Sequence, residues 1–129
     1  MTKDELDKII EKDPYHKKRI EPTETDVRLY LREVSYHCPL CGKELQSRKQ
    51  KKKEQKKFQI AHIYPNSPTV EQYNLLSKLE RLGTNCEDFE NKIALCIECH
   101  QTQDFHTTVD EYNHLLNIKK RYLEQTALH

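Results

Sequence analysis

The chain has 129 residues, 35% hydrophobic and 33% charged, with 2 Gly, no Trp and 5 Cys, which is the size of one compact domain with little core-forming material. No apolar run approaches the roughly 20 residues that span a bilayer, and the polar start MTKDELDKII lacks the apolar stretch of a signal peptide, so a cytoplasmic protein is expected. Lys and Arg number 22 against 21 Asp and Glu, a net charge of +1, and bulk charge therefore does not point to a nucleic-acid partner.

In chain order, Thr2-Lys3-Asp4-Glu5 is a capping-box pattern that predicts a short helix ending at Asp13-Pro14. Thr23 can cap a second helix in which Val27, Tyr30, Leu31 and Val34 follow the 3, 4, 7 spacing of one apolar face. The run RKQKKKEQKK then holds Arg48, Lys49, Lys51, Lys52, Lys53, Lys56 and Lys57 against Glu54 alone, a local net of +6 that leaves −5 for everything else. Such a run suits phosphate contact, and it is equally what a solvated insertion looks like. Phe58-Gln59-Ile60-Ala61 alternates as a short strand, and Ile93-Ala94-Leu95 suggests its partner. Between them Thr69 and Gln72 form a capping box for a helix from Val70 to Leu82, with Leu75, Leu76, Leu79 and Leu82 along one face and Gly83 placed to stop it. Thr108 and Glu111 cap the last helix, whose Tyr112, Leu115, Leu116, Tyr122 and Leu123 form an inward stripe.

The cysteines carry the strongest signal. Cys38-Pro39-Leu40-Cys41-Gly42 and Cys96-Ile97-Glu98-Cys99 are two CxxC units, and in a reducing compartment such pairs read as metal ligands rather than disulfides. Together they complete a tetrahedral four-thiolate site for one structural Zn²⁺, which would close a long loop and substitute for the core this composition cannot supply. Cys86 is left over and reads as an ordinary small side chain.

His62 ends the first strand, Asn91 precedes the second, and His100 follows the last cysteine. That order, interleaved with the CxxC pairs in the texts CPLCGKEL, AHIYP and NKIALCIECH, resembles the HNH endonuclease family of the four-cysteine zinc type. The resemblance covers residues from about 38 to 106. It implies an α+β fold, a small zinc-stapled ββα-metal core with additional flanking and inserted α-helices. The whole of 1–129 would be a single HNH-type domain, with an N-terminal helical segment (1–36), the zinc-stapled core with its basic loop (37–106, loop 48–57) and a C-terminal helix (107–129).

By the same resemblance His62 is a general base that activates water, Asn91 orients the His62 ring through a hydrogen bond and braces the loop, and His100 is a ligand of a catalytic divalent cation, Mg²⁺ or Mn²⁺. The family usually places His, Asp or Glu just before the general base as a second metal ligand. Ala61 stands there instead, and Asp104, four residues after His100 and so on the same face of a continuing helix, is the candidate replacement; His106 is a weaker one. The string AHIYPNSPT, with IALCIECHQTQDFHTTVDEY after the helix, is similar to HNH-type subunits that accompany ABC-type ATPases in bacterial anti-phage systems. The function implied is metal-dependent hydrolysis of DNA phosphodiester bonds by a defence effector with an ABC-type ATPase partner. The alternatives are a catalytically degenerate HNH-like subunit that keeps zinc and basic loop for DNA contact or scaffolding, and a plain zinc-stabilised protein-interaction domain.

Overall fold

The structure, a computed structural model, describes residues 1–46, 57–105 and 108–127, with the side chains of residues 104, 105 and 127 outside the description. Most of the basic run, residues 48–56, lies outside the described residues; Lys57, its last member, is exposed.

Side-chain caps set the helix starts where the sequence places them. Helix α1 (Lys3–Lys12) begins with Thr2 Oγ1 accepting from the Glu5 amide at 3.2 Å and stops at Asp13 before Pro14. Helix α2 (Glu24–Glu33) has a reciprocal box between Thr23 and Asp26, and α3 (Val70–Leu76) has one between Thr69 and Gln72. Each such cap satisfies amides with no partner in the first turn and contributes about 1 kcal/mol. Tyr30, Leu31 and Val34 are buried, as the spacing of α2 predicts. After α2, Ser35 and Tyr36 both take positive φ (54° and 62°), and the Tyr36 amide donates to Leu31 O at 2.9 Å, which swings the chain sharply into the first CxxC turn.

Strand β1 (Phe58–His62) pairs antiparallel with β2 (Lys92–Cys96), in register from Phe58 opposite Cys96 to His62 opposite Lys92. All five positions of β2 are buried, so this strand is covered on both faces, while β1 keeps Gln59 exposed. Helix α4 (Ile97–Phe105) follows β2 without a loop and packs on both strands, and α5 (Val109–Ala127) closes the fold. The described residues thus form a mixed α and β fold around a two-stranded antiparallel sheet. No helix among them is long and apolar enough to cross a membrane.

One expectation is corrected. The helix from Val70 to Leu82 ends at Leu76, with Leu76 fully buried, Leu75 exposed and Leu79 and Leu82 only partly buried. Carbonyls in the stretch beyond it bond elsewhere: Glu80 O accepts from the Tyr112 hydroxyl at 2.6 Å and Leu82 O from the Tyr15 hydroxyl at 2.8 Å. Gly83 (φ +74°) is then a loop residue rather than a helix stop, and a Cβ there would lie 2.9 Å from Asp88 Oδ2. The inward stripe of α5 also contains a cation: Lys119 is fully buried, with Nζ 2.7 Å from both oxygens of Glu33 on α2 and 3.9 Å from the centre of the Phe89 ring.

Candidate functional site

The four cysteines come together as their spacing predicts. Their sulfurs lie within 4.8 Å of one another, with Cys41 and Cys96 at 3.7 Å. Tetrahedral zinc, with Zn–S near 2.3 Å, requires sulfur pairs about 3.8 Å apart, so the donor set fits a zinc ion in number, chemistry and spacing. Cys38 and Cys41 sit on a turn closed by Gly42 N to Cys38 O at 2.7 Å and Cys38 N to Lys43 O at 2.8 Å; Gly42 at φ 79° makes that reversal accessible. Cys96 is the last residue of β2 and Cys99 lies in the first turn of α4, where its amide donates to Cys96 Sγ at 3.4 Å. Burial, then the neighbouring sulfurs, push the Cys99 thiol well up. Cys38, Cys41, Cys96 and Cys99 would hold a divalent cation as thiolates, which would relieve that crowding.

The second assembly is one that sequence reasoning missed. Burial works to raise the Glu87 carboxyl, but the Ile20 amide, Lys92 and His62 outweigh it and hold it down at about 2. This carboxylate is enclosed, its side chain 1% exposed. Its Oε2 receives His62 Nε2 at 2.6 Å and Asn66 Nδ2 at 2.8 Å, while Oε1 receives the Ile20 amide at 2.7 Å and pairs with Lys92 Nζ at 3.1 Å. His62 feels burial first, which lowers its pKa below the ordinary histidine value despite the opposing pull of Glu87. Burial thus favours the uncharged ring. Facing a carboxylate, Nε2 carries the proton and Nδ1 keeps its lone pair, a tautomer assigned from the partner.

Asn91 does not hold the His62 ring, contrary to the expectation. It is fully buried, and Nδ2 donates to Tyr64 O at 3.0 Å and Cys86 O at 2.8 Å while Oδ1 accepts from the Tyr64 amide at 2.9 Å. Both N–H donors are engaged in bracing the loop to the residues after β1, which is the other half of the role expected of it. Glu87 orients the ring instead. It lies in a turn 25 residues from His62, with neither periodicity nor motif spacing to mark it; a buried acid beside Asn91 is visible only once the chain has folded. Cys86, expected only as an ordinary small side chain, is fully buried, and its sulfur also contacts the Lys17 backbone.

Side chains alternate along β1, so Gln59 and Ala61 share one face and Ile60 and His62 the other. His100, in the first half of α4, contacts Gln59 Oε1 through Nδ1, whereas His62 meets Glu87, in the turn that precedes β2. Gln103 of α4 reaches the strand end, where its Nε2 donates to His62 O at 3.0 Å. Ala61 is fully buried in the core. The side chain of Asp104, all of His106, and Arg48, Lys49, Lys51, Lys52, Lys53 and Lys56 lie outside the described residues. Among the described residues, the four cysteines are the one group of three or more ligating side chains close enough to hold an ion. No protein-family model and no curated protein matches the chain, so a functional reading rests on motif and geometry.

Proposed function

We propose that the chain is a zinc-stapled HNH-type endonuclease that hydrolyses DNA phosphodiester bonds. The observation that carries the reading is the pairing of His62 with the buried carboxylate of Glu87, at the end of a strand in a ββα unit closed by four cysteines. A neutral imidazole with one nitrogen fixed to an acid is the arrangement of a general base. Nδ1 takes a proton from a water molecule as that water attacks phosphorus; the positive charge that develops on the ring is stabilised by Glu87, which stays ionised. Asn91 contributes by fixing the loop that presents Glu87, and Lys92 by keeping the Glu87 charge paired.

A divalent cation, when bound, would polarise the scissile phosphate and stabilise the leaving oxygen. The described residues offer it one nitrogen ligand, His100, with Asp104 the proposed carboxylate. The steps derived from the described residues are those of His62 and its partners. The likeness of AHIYPNSPT and the segment after it to subunits working beside ABC-type ATPases supports a place in a cytoplasmic anti-phage complex, in which the ATPase supplies sensing.

A second reading is a degenerate HNH-like subunit that binds DNA or a partner without cutting. Two observations favour it: Ala61, a buried methyl, stands where the family has a ligand, and Gln59 engages His100. Plasmid cleavage with Mg²⁺ or Mn²⁺, with and without the ATPase, separates the two. The nuclease reading expects nicking by the wild type and none by His62→Ala, at unchanged zinc content and DNA affinity. Cleavage that survives His62→Ala would place the active site elsewhere, and a wild type inert under every metal and partner condition would favour the degenerate subunit.

A further inference from the structure

The segment between α1 and α2 runs across the site as a strap. Tyr15 O accepts from the Cys86 amide at 2.7 Å and the Lys17 amide donates to Cys86 Sγ at 3.3 Å. Asn66 Nδ2 bridges Lys17 O, at 2.9 Å, and Glu87 Oε2, at 2.8 Å. At the far end the Ile20 amide donates to Glu87 Oε1, and Ile20 O accepts from Lys92 Nζ at 3.3 Å. Both ends of Lys17–Ile20 are therefore fastened, one directly and one through Asn66, to the same carboxylate that holds His62. All of these bonds use strap backbone. The side chains of Lys17, Lys18 and Arg19 are left exposed, and among the described residues Arg19 has a surface pairing with Glu21 at 3.3 Å, both side chains mostly in solvent.

We propose that Lys17, Lys18 and Arg19 form a phosphate-binding strap that seats the DNA backbone beside His62. Three consecutive cations on a backbone pinned at both ends lose little further freedom when they meet phosphates, because the chain that carries them is already ordered. A cation of this strap also acts on the site itself: Arg19 and Lys92 both work against protonation of His62, the direction in which a field that attracts phosphate should act on a base. The run at 48–57 is the more conspicuous basic segment in the sequence, but the strap is the one that the fold fastens to the candidate base. This inference rests on the nuclease reading for its ligand, duplex DNA.

The test is anisotropy of a fluorescent duplex of arbitrary sequence, titrated with zinc-loaded full-length protein carrying His62→Ala to prevent cutting. Each phosphate contact contributes about 0.9 to the slope of log affinity against log salt. Lys17→Gln/Lys18→Gln/Arg19→Gln should therefore flatten the slope by about 2.7, so that its affinity falls about 40-fold less between roughly 50 and 200 mM salt. Glu21→Gln, which frees Arg19, should tighten binding. If the triple variant loses zinc, Lys18→Gln alone should flatten the slope by about 0.9. Duplex binding with slope and affinity unchanged in the folded variants would overturn the strap and leave the nuclease reading standing. No binding by any form at low salt would overturn both.

Discussion

Glu87→Gln removes one charge from the centre of the site while keeping its shape. The wild-type carboxyl is held at about 2 against an ordinary value of 4.5, a gap of about 2.5 at about 1.4 kcal/mol each, so its ionised form contributes about 3–4 kcal/mol to stability at neutral pH. Breaking a buried pair on one side costs about 3–5 kcal/mol, which agrees, since Gln leaves Lys92 buried without its counter-charge and turns a donor toward either Lys92 or His62. For a carboxyl with a lowered folded pKa the stabilisation is complete above the unfolded value and is lost as pH falls through the folded one. The gap between wild type and variant should therefore be full at pH 7 and close between about pH 4.5 and 2. Urea unfolding in excess zinc, needed because acid also protonates the thiolates, should show the midpoint about 1.5–2 M lower for the variant at pH 7, taking a slope of about 2 kcal/mol per M. NMR titration should show the His62 pKa falling further, because the one carboxylate that raises it is gone. A variant within about 0.5 kcal/mol of wild type at pH 7, or a gap that does not narrow in acid, would refute the assignment of Glu87 as the charged partner of His62.

Metal analysis should find one zinc per chain, and chelation should abolish cooperative unfolding, since the two CxxC turns lie 55 residues apart at Cys41 and Cys96 and the ion closes the loop between them; full folding without metal would disprove this. Lys119→Ala should cost about 3–5 kcal/mol by leaving Glu33 buried and unpaired, whereas Lys119→Met with Glu33→Leu should cost far less. A loss under about 1 kcal/mol for the single change, read by thermal unfolding, would mean that water reaches Glu33.

Local chemistry was legible in the sequence. Thr2, Thr23, Thr69 and Thr108 cap helices because a hydroxyl before a helical segment bonds an amide two or three residues on, and nothing distant is needed. The CxxC pairs declared a metal site because each pair converges by its own turn, and the apolar runs around Ile60 and Ala94 were enough to mark two strands. The tertiary structure decided whatever depends on which distant groups meet. It ended α3 at Leu76 and set the following stretch against the hydroxyls of Tyr15 and Tyr112, which hold the Leu82 and Glu80 carbonyls. It buried Lys119 because Glu33 waits on another helix. It gave the His62 ring to Glu87 rather than Asn91, since a carboxylate can be buried only where an amide, an ammonium and an imidazole arrive together from Ile20, Lys92 and His62, three separate parts of the chain.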